Sequence, residues 1–119
     1  MKKSEINLTI YLDNENVPEK IFWDATDRGE DTETEAQSIS LSIWDHLEKN
    51  TLRIDLWTKK MPVDEMKRFS IDTIGGIAQT ILSATGDTYM SDEINALCDK
   101  LVKHVEEEQR QQQQKPEKE

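Results

Sequence analysis

The segment from residue 39 to residue 57 constrains the fold more than any other part of the chain. Ile39, Leu41 and Ile43 alternate with Ser40, Ser42 and Trp44, and Leu52, Ile54 and Leu56 then alternate with Arg53, Asp55 and Trp57. A period of two puts alternate side chains on opposite faces of a strand, and two such runs across a polar turn make a β-hairpin. With the turn at Leu47-Glu48-Lys49-Asn50 and His46 facing Thr51, Ile43 falls opposite Ile54 and Leu41 opposite Leu56. The same register sets Trp44 against Arg53, Ser42 against Asp55 and Ser40 against Trp57. One face is therefore aliphatic, and the other carries Trp44, Arg53, Asp55 and Trp57. A one-residue slip would exchange the faces, so the alternation fixes which residues share a side.

The flanking segments supply the remaining elements. Ile6, Leu8, Ile10 and Leu12 alternate with Asn7, Thr9 and Tyr11, the pattern of a strand with one buried face. Turn-forming residues from Asp13 to Pro18 end it, and Ile21-Phe22-Trp23 reads as a second, shorter strand. Beyond Pro62, the apolar residues Met66, Phe69, Ile74, Ile77, Ala78, Ile81 and Leu82 recur at helical spacing up to Thr85-Gly86. Proline and two acids at the start suit a helix N-terminus. Gly75-Gly76 inside this helix implies either a close backbone approach or a bend. Ser91 reads as the N-cap of a second helix with the stripe Ile94, Leu97, Cys98, Leu101, Val102 and Val105. Four strands followed by two helices, with no βαβ alternation, predict an α+β fold: a four-stranded antiparallel sheet with both C-terminal helices packed on one face. Residues 1–105 form a single domain on this reading, and the polar stretch 106–119, with its run of four glutamines, is a disordered tail or frayed helix.

Charge and composition narrow the partners. Fifteen Lys and Arg against 25 Asp and Glu leave a net charge of -10, which repels phosphate backbones and anionic lipid. Nucleic acid is excluded as a first partner. Half of that charge lies between Asp24 and Glu35, where Asp24, Asp27, Glu30, Asp31, Glu33 and Glu35 face only Arg28. Hydrophobic residues make up 34% of the chain against about 45–50% in an average domain counted with glycine, so the core is thin. No window reaches the roughly 18–20 apolar residues of a membrane span, and the alternation after Glu5 is not a signal peptide. A cytoplasmic location without membrane insertion is expected. The lone Cys98 allows no intrachain disulfide and no multi-thiolate zinc site.

The stretches Ser4-Glu5-Ile6 to Leu12-Asp13, Val17-Pro18-Glu19-Lys20-Ile21 with Trp23, and Thr51-Leu52-Arg53-Ile54-Asp55-Leu56-Trp57-Thr58-Lys59 running into Met61-Pro62-Val63-Asp64-Glu65-Met66 resemble the GldC family of gliding-motility proteins from Bacteroidetes. Trp44-Asp45 fits the same pattern. The resemblance runs from about Ser4 into the second helix. It implies a small cytoplasmic accessory protein of surface gliding, associated with type IX secretion. It brings no catalytic or ligand residues with it.

The residues themselves offer little catalytic chemistry. His46 at the hairpin turn and His104 on the polar side of the last helix read as solvated, and Cys98 on the apolar stripe reads as a small core residue. The acids between Asp24 and Glu35 lack the spacing of a calcium loop, and Gly75-Gly76 lacks that of a phosphate loop. The expectation is a non-enzymatic protein with no cofactor and no metal. Two readings of the face bearing Trp44, Arg53, Asp55 and Trp57 compete. In one, the aromatics stack on Tyr11 and merely shield the sheet. In the other, the face is an association surface for a protein partner or a second copy of the chain. The element order also resembles the SecB-type export holdase, the alternative function, through fold analogy alone.

Overall fold

In a computed structural model, residues 1–28 and 33–114 are described, and they fold into two compact units, Met1–Met61 and Pro62–Glu119. The first unit is all β: β1 (Ile6–Leu12), β2 (Pro18–Ala25), a 3-10 turn (Thr26–Arg28), β3 (Thr34–Ala36), β4 (Ser38–Trp44) and β5 (Thr51–Trp57). The second is α1 (Val63–Thr85) followed by α2 (Thr88–Gln114). The class is α+β with two C-terminal helices, as the sequence predicts.

The single four-stranded sheet is corrected. The strands form two sheets, β1-β2-β3 and β4-β5, all pairs antiparallel. The reason is β3, which pairs Ile21 with Ala36 and Trp23 with Thr34, so β2 already has neighbours on both edges. At Gln37 the chain bends out of the first sheet, and β4 finds a partner only in β5. Gln37 still ties the two strands together, because its carbonyl accepts the Thr58 N–H at 2.9 Å. β3 takes up part of the segment expected to be an acidic loop; Glu30 and Asp31 lie outside the described residues.

Asp13 organises the turn between β1 and β2. Its Oδ1 accepts the N–H groups of Glu15 at 2.8 Å and Val17 at 3.0 Å, and its Oδ2 accepts Lys59 Nζ at 2.8 Å. The turn thereby also holds the chain leaving β5. The Lys59 bond first, then the two backbone donors, lower the Asp13 carboxyl from 3.8 to about 2. A depressed carboxyl stabilises the fold above its ordinary pKa and loses that contribution as pH falls toward the folded value. The advantage of the native protein over Asp13→Asn in thermal melting should therefore shrink between pH 3.8 and about 2. A difference that stays constant across that window would refute this role.

The helical unit is an antiparallel hairpin. Gly86 ends α1 in the left-handed conformation (φ 73°) and donates its N–H to the Leu82 carbonyl at 2.9 Å. The cap of α2 is Asp87 rather than the expected Ser91: Asp87 Oδ1 accepts the Met90 N–H at 3.0 Å. Ser91 lies one turn inside the helix and is buried. Lys67 Nζ meets Glu108 Oε1 at 2.8 Å, and the Cys98 thiol lies 3.8 Å from the Ile71 carbonyl, which fixes the antiparallel register. The Lys67 bond also holds the Glu108 carboxyl below its ordinary range. α1 runs unbroken through Gly75-Gly76, and neither glycine is needed to admit a neighbour. A Cβ at Gly75 would make ordinary contact with Cys98 Sγ at 3.9 Å, and one at Gly76 would meet nothing within 4 Å.

Where the sequence reading closes the domain at Val105, α2 continues through residues 106–114. Glu, Gln and Arg are good helix formers, and Arg110–Glu107 (2.8 Å) and His104–Glu108 (3.6 Å) bridge adjacent turns. Among the described residues, no helix is long and apolar enough to cross a membrane.

Complete burial is rare. Ile21 on β2 and Ala78 on α1 are the fully buried apolar residues among those described, while Ile6, Ile43, Leu52, Ile54 and Leu97 are all exposed. The thin core expected from composition is present in both units.

Candidate functional site: the polar face of the β4-β5 hairpin

Asp45 sets the geometry of this hairpin. Its N–H donates to the Asn50 carbonyl at 2.8 Å, its carbonyl accepts the Lys49 N–H at 3.1 Å, and its Oδ2 accepts the Glu48 N–H. Lys49 adopts φ 56°, so the four-residue loop is His46–Lys49. The loop thus begins and ends one residue earlier than the sequence register assumes, and the strands shift by two. Leu41 pairs with Ile54, Ile43 with Leu52 and Ile39 with Leu56. A shift of two preserves the faces and changes only the neighbours. An aspartate before a polar loop is the sequence signal that would have placed this turn.

The corrected rungs on the polar face are Trp44/Thr51, Ser42/Arg53, Ser40/Asp55 and Ser38/Trp57. Arg53 therefore lies across from Ser42 rather than Trp44, and Asp55 across from Ser40. The guanidinium is held at four points. Nη1 donates to Ser42 Oγ at 2.7 Å, Nη2 to Ser40 Oγ at 2.9 Å and to Asp55 Oδ1 at 2.8 Å, and Nε to Asp55 Oδ2 at 3.2 Å. The two bonds to one carboxylate form a bidentate pair, which fixes orientation as well as charge. Arg53, then the Ser40 hydroxyl, hold the Asp55 carboxyl below its ordinary range. Ser38 completes the row by donating to the Leu56 carbonyl at 3.0 Å. Ser40 and Ser42 as partners of Arg53 are the part of this arrangement that sequence alternation alone does not show.

The tryptophans stand at opposite ends of this polar row, separated by six residues of strand, or roughly 20 Å. Both are exposed, Trp44 at 64% and Trp57 at 56%. Three aromatics of the first sheet have partners within it or beside it, while Tyr89 on α2 is exposed. Tyr11 sets its ring edge-on to Phe22 at 6.0 Å, and the Arg28 guanidinium lies 4.1 Å over the half-buried Trp23 ring. Stacking on Tyr11 is thus not what Trp44 and Trp57 do; the ring that Tyr11 meets is Phe22.

The remaining sequence candidates are dispersed. His46 is exposed in the hairpin loop, His104 is exposed on α2, and Cys98 is half-buried against α1. Of the acids between Asp24 and Glu35, Asp24 belongs to β2 and Glu35 to β3, while Asp27 accepts the Ser4 hydroxyl at 3.1 Å.

The chain is a small α+β protein, and its β4-β5 hairpin presents a strand face arranged around one anchored arginine. The profile of the gliding motility-associated, GldC-like proteins matches residues 18–107, and the chain belongs to that family. Neither the curated proteins nor the solved structures contain a match. The matched region includes β2 to β5, α1 and most of α2.

Proposed function

We propose that this chain is a non-enzymatic accessory protein of gliding motility, linked to type IX secretion, that acts by docking a protein partner on the face formed by Trp44, Arg53, Asp55 and Trp57. Membership of the GldC-like family supports the gliding association. The observation that carries the docking role is the pairing of two exposed tryptophans with an arginine already held at four points. Tryptophan and arginine dominate binding energy at interfaces, and a side chain that is fixed beforehand loses less entropy on association. No step of chemistry is required of such a site.

The test is complementation of a gliding cell that lacks this protein. Trp44→Ala/Trp57→Ala should accumulate at the native level, keep the native far-UV spectrum and fail to restore spreading. It should also fail to retain the proteins that the native chain captures from those cells. Full restoration of spreading by the double variant would overturn the assignment of this face.

A further inference from the structure

The hairpin is a two-stranded sheet, and each of its strands has one edge without a partner among the described residues. An isolated pair of strands is marginally stable in water, and an open edge is a template for another strand. On β5 the backbone groups at that edge can be assigned. Asn50 and Thr58 bond across to Asp45 and Gln37, and the Leu56 carbonyl points at Ser38. Residues 50, 52, 54, 56 and 58 therefore direct their backbone toward β4, and residues 51, 53, 55 and 57 direct theirs to the open edge.

The sequence of β5, Thr-Leu-Arg-Ile-Asp-Leu-Trp, is charge-complementary to its own reverse about Ile54. We infer that β5 pairs antiparallel with β5 of a second copy of this chain, about a two-fold axis at Ile54, giving a continuous four-stranded sheet. In that register Arg53 faces Asp55 of the other copy, and Asp55 faces its Arg53. Leu52 faces Leu56, and Ile54 faces itself. The pairs 53/55 and 51/57 fall on the residues whose backbone groups point outward, so the hydrogen-bonding phase and the charge pattern agree. Each Arg53 is then flanked by Asp55 of its own strand and Asp55 of the other, an alternating square of four charges. The contact is isologous and uses up both β5 edges, so it closes as a dimer.

The other outer strands fit less well. β1 and β4 contain no charged residue, β3 is three residues long with Glu35 alone, and β1 carries a bulge at Tyr11/Leu12. β5 has no proline, lysine or bulge to blunt it, and six of its seven residues are exposed. The inference concerns the hairpin edge, and it holds or fails separately from what docks on the tryptophan face.

Charge reversal tests it on the full chain. Arg53→Asp sets carboxylate against carboxylate in both cross-axis pairs, and Asp55→Arg sets guanidinium against guanidinium in both. Each variant alone should dimerise roughly tenfold or more weakly than the native chain by sedimentation. Mixed together they should recover the dimer mass, because each variant then offers one sign at both positions and meets the opposite sign on the other. Recovery on mixing separates pairing between chains from the loss of the Arg53–Asp55 bond within one. A native chain that stays monomeric, single variants that dimerise as well as it does, or a mixture that remains monomeric would each overturn the inference. Should a single variant lose its far-UV spectrum, Ile54→Cys in a Cys98→Ala background decides. Mild oxidation should give a covalent dimer with the thiol at position 54, where the two strands cross, and not with Leu52→Cys. Equal or absent cross-linking at both positions would refute the register.

Discussion

Ile21→Ala is expected to unfold most of the β unit. Ile21 is fully buried at the centre of the central strand of its sheet, with Ile10 beside it on β1 and Ala36 beside it on β3. Truncating a fully buried isoleucine costs about 2–5 kcal/mol, the lost transfer energy plus that of the cavity left behind. A unit the size of Met1–Met61 has a total stability of only about 3–9 kcal/mol at ordinary values per residue. Among the described residues of this unit, no second fully buried apolar side chain shares the burden. Far-UV circular dichroism and denaturant titration should show the β transition lost or moved to much lower denaturant. Ile6→Ala provides the contrast: Ile6 is 72% exposed, so its truncation should shift the midpoint little. Equal effects at the two positions would show that the buried centre does not hold this sheet.

The second large effect is expected at Ala78. It is 1% exposed on α1, the one fully buried apolar residue described in the helical unit. Ala78→Asp would bury a carboxylate at a site packed around a single methyl group. An unpaired buried charge costs several kcal/mol, even when the carboxyl takes up a proton to avoid it. The helical signal should fall at neutral pH and recover in part as the solution is acidified. Gln79→Asp, one residue along and exposed, should cost only the few tenths of a kcal/mol that separate the two helix propensities. A folded Ala78→Asp with native melting would contradict the burial on which this rests.

These two residues also show how far the sequence can be read. Ile21 and Ala78 are each one member of an apolar pattern, and nothing in alternation or helical spacing singles either out. Ile6, an equally regular member of the β1 alternation, and Ile77, beside Ala78 in the helical pattern, are exposed. Burial depends on what lies over a position, which local periodicity does not contain. The strand β3 is invisible in the sequence because Thr34-Glu35-Ala36 has no hydrophobic signal; it is a strand because β2 offers an edge. Ser91 attracts the start of α2 in a sequence reading because two acids follow it, yet Asp caps a helix as well as Ser does, and Asp87 is the residue that does so. In the hairpin, the faces are legible and the register is not, since alternation is unchanged by a shift of two and only the Asp45 turn selects among such shifts.

The amino-acid sequence by itself determined the α+β class, the hairpin with its aliphatic and tryptophan-bearing faces, the span of α1 and the kinship with the gliding-motility family. The structural features among these follow from side-chain periods of two and 3.6 residues, local terms that each segment satisfies on its own. The tertiary structure alone decided the division into two sheets, the seating of Arg53 on Ser40 and Ser42, and the outward phase of the β5 backbone. Those depend on which strand edges meet and on hydrogen bonds between residues distant in the chain. Such terms are set by the competition among possible partners, and no single segment encodes its outcome.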